Sequence, residues 1–354
     1  MVDLNDVEAI REVDKSGMLR ILHNLPDQIG EAKRIVDEAN IPKIFKVDHI
    51  LICGMGGSAI SGDILQTYLR RRLSIPVIVN RSYDIPRWVN KNTLVFSQSY
   101  SGNTEETLSA FKQAYERHSN IIGISSGGKL EEYCERRNLP YIKIPSGLPP
   151  RAAVFYLLFT SLFALLKTGV FYHPIENEVE ETTSILKDAR SYFTEELETQ
   201  ENIAKQIAEK VNHTIPQIYG WGIYESIAKR WMTQFAENSK IIARYNTFPE
   251  CTHNDIVAWS TLDESLKKFS CIIFRDSTEE NLHMKTRIDY MKKLLNYATT
   301  VVEEIHPRGK KSLTKMLYLL YLGDYVSCYL ALLNDIDPTP VDAITELKEV
   351  LAKI

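Results

Sequence analysis

Short apolar runs alternate with helical segments along the first half of the chain. The clearest run is Ile50–Cys53, whose apolar and partly β-branched residues are typical of a strand buried on both faces. Three glycines crowd the next four positions, and apolar residues then recur at helical spacing over 59–69. Further strands are predicted in this half at 76–80, 93–97, 120–124 and 141–144. This alternation predicts a parallel, doubly wound α/β sheet.

The second half of the chain repeats the pattern. Residues 217–228 again predict a strand, a Gly-x-Gly turn and a helix. The other elements predicted in this half are strands at 241–245, 270–274 and 298–302, and helices near 279–295, 311–334 and 340–353. We therefore expect a duplicated α/β architecture.

Helical segments precede and join the two sheets. Residues 7–39 predict two amphipathic helices that cover one face of the first sheet. Residues 174–211 predict a glutamate-rich linking segment with a solvated face. On this basis a first domain is placed at 1–192, including the N-terminal helices, and a second domain at 193–354.

The turn after the first strand has the composition of an anion site. Its glycines, Gly54, Gly56 and Gly57, permit positive φ and a close approach to the backbone. Ser58 follows at the predicted N-cap, so a helix N-terminus and a hydroxyl would meet at one point. No Gly-Lys-Ser/Thr follows, which excludes a P-loop. Ala59 replaces the third glycine of the dinucleotide motif, although that pattern also admits alanine there. The alternative is a turn needed only for close helix–strand packing.

A second turn, rich in hydroxyl groups, follows the strand at 93–97. Residues 98–107 hold five hydroxyl-bearing residues, and Ser99, Ser101 and Thr104 precede two glutamates typical of a helix start. One interpretation is a Ser/Thr-rich loop before a well-capped helix. The other is a second phosphate-contacting loop. We favour the second, because both turns open at the carboxyl ends of parallel strands, where ligands bind.

Composition and charge narrow the function classes. A length of 354 residues suits two domains of ordinary size. The composition, 44% hydrophobic and 25% charged, is typical of soluble globular proteins. The net charge of −4 gives no general attraction to nucleic acid or anionic membranes, so an anionic substrate needs a local positive pocket. Five scattered cysteines without a C-x-x-C pair argue against a disulfide framework or zinc site and favour the reducing cytoplasm.

No targeting or membrane segment is predicted. Residues 1–6 hold neither a basic region nor an apolar run typical of a signal peptide. The longest apolar stretch, Ala152–Leu166, is shorter than the ~20 residues that span a bilayer, so a buried helix is expected there. Arg151 heads this stretch, either as a helix-end residue that reaches solvent or as a cation aimed at a ligand.

A carboxylate and an imidazole in the second half are candidates for proton transfer. Glu237 ends the helix that the second Gly-x-Gly turn opens, and His253 lies in a following loop. Taken singly, each could be an ordinary helix-end or turn residue. The second turn has Tyr224 in place of Ser58, so we expect the ligand on the first domain. The histidines show no metal-ligating spacing.

Together these motifs resemble the bifunctional phosphoglucose/phosphomannose isomerases. The resemblance runs from about residue 45 to the C-terminus and rests on motifs in family order: 54–63, 99–107, 150–153, 237–240, 253–254 and 337–341 leading to Lys348. It implies an α/β fold of two tandem sugar-isomerase (SIS) domains, each a doubly wound parallel sheet flanked by helices. The implied reaction interconverts glucose 6-phosphate and mannose 6-phosphate with fructose 6-phosphate through a cis-enediol.

The resemblance also implies residue roles. The substrate phosphate would take the backbone N–H groups of Gly56, Gly57 and Ser58 and the hydroxyls of Ser58, Ser99, Ser101 and Thr104. The catalytic residues would be Glu237 as the base between C1 and C2, Arg151 for the enediolate charge, His253 for ring opening and Lys348 near the ring oxygen or C5 hydroxyl. One departure is Asp255, since glutamate is expected after His-Asn in many relatives.

The family implies neither a metal nor an organic cofactor, and no nucleic acid or membrane partner. It implies a homodimer in which His253 reaches the neighbouring subunit's site. Two other functions stay open at this point: a non-catalytic sugar-phosphate sensor, which would not need Glu237, and a stand-alone amino-sugar phosphate isomerase.

Overall fold

The computed structural model describes residues 2–261 and 263–351, and the chain divides into two compact units. One unit spans 24–183. The other combines 2–23 with the described residues from 184 onwards. The chain passes from one to the other within a long helix that covers Glu176–Phe193.

Helices and strands are numbered in chain order over the described residues. The helices are α1 Val7–Val13, α2 Met18–His23, α3 Gln28–Glu38, α4 Gly56–Leu69, α5 Glu105–Glu116, α6 Gly128–Arg136, α7 Val154–Thr168, α8 Glu176–Phe193, α9 Ile203–Val211, α10 Glu225–Glu237, α11 Asp255–Trp259, α12 Leu282–Ala298, α13 Ser312–Leu333 and α14 Asp342–Leu351. The strands are β1 His49–Cys53, β2 Val77–Asn80, β3 Thr93–Gln98, β4 Asn120–Ser125, β5 Tyr141–Lys143, β6 Ile215–Trp221, β7 Arg244–Phe248, β8 Phe269–Phe274 and β9 Val301–Ile305.

The unit at 24–183 contains a parallel sheet in the order β2-β1-β3-β4-β5. Side chains alternate between its faces: Leu51 and Val95 belong to a core cluster with residues of α5 and α6, whereas Ile52 faces α4, which approaches through Gly62. The sheet is therefore doubly wound, as predicted. The strand order reverses direction between β1 and β3, which is where open α/β sheets bind ligands.

The second unit contains a parallel sheet in the order β7-β6-β8-β9, with the same reversal between β6 and β8. Its central helix is α13, which packs against α9, α10 and α2. A bidentate ion pair ties α10 to α13: Arg230 Nε and Nη2 donate to the Asp324 carboxylate at 3.1 and 2.8 Å, with both side chains at most 1% exposed. The predicted α/β class is confirmed in both units.

The N-terminal helices were predicted to cover the first sheet, but α1 and α2 belong to the other unit. Leu19 and Leu22 are buried, and the Tyr321 hydroxyl of α13 donates to the Leu22 carbonyl at 2.9 Å. An amphipathic face in the sequence specifies burial but not the surface that covers it, which is why the partner was missed. The unit boundary lies at 183/184, inside α8, rather than at the predicted 192/193.

Two strands of the second sheet begin three residues later than predicted, at 244 rather than 241 and at 301 rather than 298. At the first, Lys240 adopts a left-handed φ of 58° and Ile242 is 79% exposed, so the β-branched pair after α10 belongs to the connection. At the second, α12 continues to Ala298.

Among the residues that the structure describes, two helical segments are long and apolar enough to cross a membrane by length and composition alone. They are Pro150–Thr168, with 19 residues and 89% of its most apolar window buried, and Ser312–Leu333, with 22 residues and 100% buried. The first is longer than the predicted stretch because a 3-10 turn at Pro150–Ala153 precedes α7. α7 packs on α3 and α4, and α13 on α9 and α10, as core helices do.

Candidate functional site

The turn after β1 opens α4 earlier than the sequence predicted. Gly56 has φ +50°, and the helix starts there with Met55 as N-cap, so Ser58 is its third residue and not the cap. The Ser58 hydroxyl is used differently: it accepts a hydrogen bond from Tyr100 N at 3.2 Å. This bond joins the turn after β1 to the loop after β3.

The N-terminus of α4 offers free backbone donors. Among the described residues, no backbone acceptor takes the N–H of Gly56 or Gly57, whereas Ser58 N already donates to Met55 O at 3.0 Å. A Cβ added at Gly56 would meet nothing within 4 Å, so this end of the helix faces open space. Two free N–H groups at the positive end of a 14-residue helix favour an anion.

The loop after β3 does not use its hydroxyls to cap a helix. Thr104 is the N-cap of α5, yet its side chain makes no capping hydrogen bond; its Oγ1 lies 2.8 Å from Ser99 Oγ instead. Ser101 is exposed, and its Oγ accepts from Asn103 N at 3.2 Å. The Thr104 side chain therefore does not cap α5, and the N-terminus of this helix lies beside hydroxyl groups that bond within the loop.

The same loop is held in place by the loop after β4. Gly102 has φ +69°, and a Cβ there would lie 1.7 Å from the Gly127 carbonyl oxygen. Leu130 N donates to Gly102 O at 3.0 Å, and Ser126 Oγ donates to Tyr100 O at 2.7 Å. The loop after β4 therefore fixes the position of the hydroxyl-bearing loop.

Arg151 lies in the 3-10 turn directly beside the turn after β1. A Cβ at Gly57 would lie 2.8 Å from Pro150 O and 3.1 Å from Arg151 Cα, so only glycine permits this approach. The Arg151 side chain is 2% exposed, which excludes the interpretation of a helix-end cation that reaches solvent.

Glu237 is the last residue of α10, and the residues after it fix this helix end. Asn238 and Ser239 are buried; Asn238 Nδ2 donates to Ser327 Oγ at 2.9 Å, and Ser239 Oγ donates to Ser327 O at 2.6 Å. Lys240, in the left-handed conformation, donates from Nζ to the carbonyls of Glu237 and Pro338 at 2.7 and 2.9 Å. The carboxylate therefore stands on a rigid support.

His253 ends a 3-10 turn at Glu250–His253 and is exposed. Within the described part of the chain its imidazole makes no side-chain hydrogen bond or ion pair, which leaves both ring nitrogens open to a ligand. Lys348 lies on α14, all of whose described side chains are exposed. Its ammonium has no partner among residues 2–261 and 263–351.

The site residues predicted from the sequence fall into two groups. The 24–183 unit brings together the two turns and the backbone of the arginine, that is Gly56, Gly57, Ser58, Ser99, Ser101, Thr104 and Arg151. The other unit holds the acid/base candidates Glu237, His253 and Lys348. Tyr100 was missed: it links the two turns through its N–H, and its hydroxyl accepts from Leu148 N at 2.8 Å.

At the matching position of the second unit, the side chain that replaces Ser58 is already engaged in hydrogen bonds. Tyr224, which replaces the serine, donates its hydroxyl to Asp276 Oδ2 at 2.6 Å, and Lys315 Nζ donates to the same oxygen at 2.8 Å. Thr278 Oγ1 donates to Asp276 Oδ1 at 2.7 Å. A carboxylate that is 4% exposed thus already accepts these donors.

The hydrogen bonds to Asp276 predict that acid destabilises this unit in a specific way. Burial raises the pKa of Asp276, but hydrogen bonds from Lys315, Tyr224 and Thr278 outweigh it and hold the pKa below the usual 3.8. A lowered pKa stabilises the fold above pH 3.8, and that stability is lost as the pH falls towards the folded pKa. In calorimetry between pH 6 and 2.5, the melting temperature of Asp276→Asn should therefore fall less steeply with acid than that of the wild type. Parallel curves of melting temperature against pH for the two proteins would contradict this prediction.

Two family profiles and several known proteins match this chain. The family profile described as "Bacterial phospho-glucose isomerase C-terminal SIS domain" matches residues 200–351, and the profile "SIS domain" matches 43–136. The chain is 41% identical over 339 residues to the bifunctional phosphoglucose/phosphomannose isomerase of Caldicellulosiruptor bescii, covering 95% of this chain and 99% of that protein. It is 37% identical to the protein of the same name from Thermoplasma acidophilum, covering 90% and 96%.

Among solved structures, a glucose-6-phosphate isomerase-like protein from Thermus thermophilus matches with a TM-score of 0.66 at 18% identity. The match covers 99% of this chain and 100% of the other, and at this identity it supports the fold alone. The two SIS domains and the identity along nearly the whole length show that the chain belongs to the bifunctional phosphoglucose/phosphomannose isomerase family.

Proposed function

We propose that this protein is an aldose–ketose isomerase that interconverts glucose 6-phosphate and mannose 6-phosphate with fructose 6-phosphate through a cis-enediol intermediate. The observation that carries the proposal is the anion site at the reversal between β1 and β3, in a chain 41% identical to a bifunctional phosphoglucose/phosphomannose isomerase. An open-chain aldose 6-phosphate that is bound through its phosphate has C1 and C2 at its opposite end, where an acid or base can act on them.

The phosphate would be held by the 24–183 unit. Free N–H groups of Gly56 and Gly57 support this assignment, as do the hydroxyls of Ser58, Ser99, Ser101 and Thr104 around two helix N-termini. Ser58 would contribute its hydroxyl rather than its N–H, which is already used. The domain roles follow: the unit at 24–183 would contain the phosphate site, and the unit that combines 2–23 with the described residues from 184 onwards would supply the acid and base.

Proton transfer would use Glu237. Its carboxylate removes the proton from C2 of the open-chain aldose, the electron pair forms the C1–C2 double bond, and the carbonyl oxygen at C1 gains a proton. The same carboxyl group then delivers the proton to C1 while the C2 hydroxyl becomes the ketone. Arg151 would stabilise the negative enediolate oxygen, because a buried cation acts strongly on charge that develops in the transition state.

Ring opening would use His253, which exchanges a proton between the ring oxygen and the C1 hydroxyl, with Lys348 near the ring oxygen or the C5 hydroxyl. The exposed imidazole supports a reach to the neighbouring subunit's site, so we propose a homodimer. We place this enzyme in the cytoplasm, in glycolysis and gluconeogenesis. No metal or organic cofactor is proposed, because a carboxylate and an imidazole suffice for these proton transfers.

A coupled assay tests the function. Purified protein treated with a chelator is given glucose 6-phosphate or mannose 6-phosphate, and fructose 6-phosphate is followed. Conversion of both aldose phosphates supports the bifunctional activity. Conversion of glucose 6-phosphate alone restricts the activity to a phosphoglucose isomerase. Tight binding of both without turnover would contradict the proposal and indicate a sugar-phosphate sensor.

Replacement of His253 with alanine tests the ring-opening role. We expect kcat on glucose 6-phosphate to fall about 10²–10⁴-fold, the usual contribution of a positioned acid/base. An analogue that lacks the 4- and 5-hydroxyls cannot close a ring, so its isomerisation should fall much less. Equal losses on the two substrates would argue against the role.

A further inference from the structure

A buried carboxylate anchors the loop that carries His253. Asp255 is the first residue of α11, and its side chain is 8% exposed. Its Oδ2 accepts from the Tyr219 hydroxyl at 2.5 Å. Trp259 Nε1 donates to the Tyr219 hydroxyl oxygen at 2.6 Å and also lies 3.0 Å from Asp255 Oδ2. The Asp255 Oδ1 lies 3.4 Å from Arg244 Nη2. Because Tyr219 belongs to β6 and is fully buried, the carboxylate connects the loop to the centre of the sheet.

The other side of the loop is fixed as well. Cys251 is fully buried, and Thr252 Oγ1 accepts from Arg287 Nη1 of α12 at 2.7 Å. Only His253 and Asn254 between these two anchors are exposed. The backbone at His253 is therefore held on both sides, by Thr252 and by Asp255.

Burial of the Asp255 carboxylate has a cost in free energy. A carboxylate removed from water needs donors to offset the loss of hydration, and here a tyrosine, a tryptophan and an arginine supply them. Burial and the neighbouring Asp255 raise the pKa of Tyr219 well above its usual range, so its hydroxyl stays a donor.

We infer that Asp255 is a positioning residue for His253: its carboxylate sets the distance between the imidazole and β6. The inference rests on the proposed function, since it assigns Asp255 to the ring-opening step. His253 lies two residues away, within about 7 Å of chain. A displacement of about 1 Å at a reacting group can lower a rate about 10²-fold. In this chain the donors of Tyr219, Trp259 and Arg244 are placed for the short aspartate, so the longer glutamate that is expected in many relatives would here push the loop away from its anchor.

Ring opening can be measured separately from isomerisation. Opening and reclosing exchange the α and β anomers of glucose 6-phosphate, and NMR exchange spectroscopy records that rate in an enzyme whose Glu237→Gln substitution has removed the C1–C2 step. In this background Asp255→Ala and Asp255→Glu should slow catalysed anomer exchange about 10- to 100-fold. Asp255→Asn keeps the length and an acceptor oxygen, and should retain most of the rate. Tyr219→Phe, which removes one donor, should fall between them.

Controls separate a positioning role from a structural one. Asp263→Ala removes another aspartate of the same segment, one that accepts from Ser265 N, and should leave anomer exchange unchanged. In the otherwise wild-type enzyme, Asp255→Ala should lower kcat on glucose 6-phosphate with KM changed less than about threefold, and should spare the analogue that cannot close a ring. Circular dichroism and melting temperature verify that each variant folds; Asp255→Asn and Tyr219→Phe provide the test if the alanine variant does not.

The two proposals fail in different ways. Absence of turnover by the wild type contradicts the proposed function. Normal turnover, slow anomer exchange in His253→Ala and wild-type exchange in Asp255→Ala, Asp255→Glu and Tyr219→Phe would overturn the positioning role of Asp255 alone. Equal losses by Asp255→Ala on ring-closing and open-chain substrates would overturn it too.

Discussion

Replacement of Glu237 with glutamine should lower kcat about 10²–10⁴-fold with both aldose phosphates while phosphosugar binding is kept. The amide has the shape of the carboxylate but cannot carry the proton between C1 and C2. The phosphate donors lie on residues that the substitution does not touch, so Kd should change little. Stopped assays for kcat and isothermal titration for Kd measure the two quantities separately.

A second glutamate of the same helix provides the matched control. Glu225, at the start of α10, should tolerate the same change to glutamine with kcat within about twofold of the wild type. Near-normal kcat in Glu237→Gln would remove the proposed base. Loss of phosphosugar binding together with turnover would indicate that the substitution disturbs more than proton transfer.

Replacement of Arg230 with methionine should destabilise its unit by about 3–5 kcal/mol. The substitution removes the cation from the Asp324 carboxylate, which is fully buried between α10 and α13. Urea unfolding reports this unit through tryptophan fluorescence, since Trp221, Trp231 and Trp259 belong to it. A loss below about 1 kcal/mol would contradict the expectation.

Two further variants locate the cause. Changing Arg230 to methionine and Asp324 to leucine together removes both charges, and should cost less than the single change because no buried charge is left behind. Lys210 pairs with Glu303 on the surface of the same unit, at 48% and 24% exposure, and Lys210→Met should cost about 1 kcal/mol or less.

Local pattern was sufficient for the elements that form the candidate anion site. The apolar run at Ile50–Cys53 and the glycines after it predict β1 and α4 because strand burial and turn conformation depend on adjacent residues. The hydroxyl-rich loop after β3 was recognised for the same reason. The reversal of strand order between them follows from the sheet topology and explains why these two turns meet.

Contacts between distant residues could not be predicted in this way. Gly57 is required by the approach of Pro150 and Arg151, almost a hundred residues away in the chain, and nothing near Gly57 indicates it. The partner of α2 is α13, which an amphipathic pattern cannot specify. Asp276 and Lys315 are 39 positions apart in the chain, so the hydrogen bonds around Tyr224 were visible in the sequence only as a missing serine.

Transfer of the C2 proton is the central claim, and proton NMR of the reaction in deuterium oxide measures it most directly. A carboxylate exchanges its proton with solvent between steps, so glucose 6-phosphate and mannose 6-phosphate should both yield fructose 6-phosphate with deuterium at C1, and Glu237→Gln should abolish the incorporation. Formation of fructose 6-phosphate without deuterium at C1 after many turnovers would contradict the cis-enediol route. Binding of the aldose phosphates without any product would contradict the proposal that the protein is an isomerase.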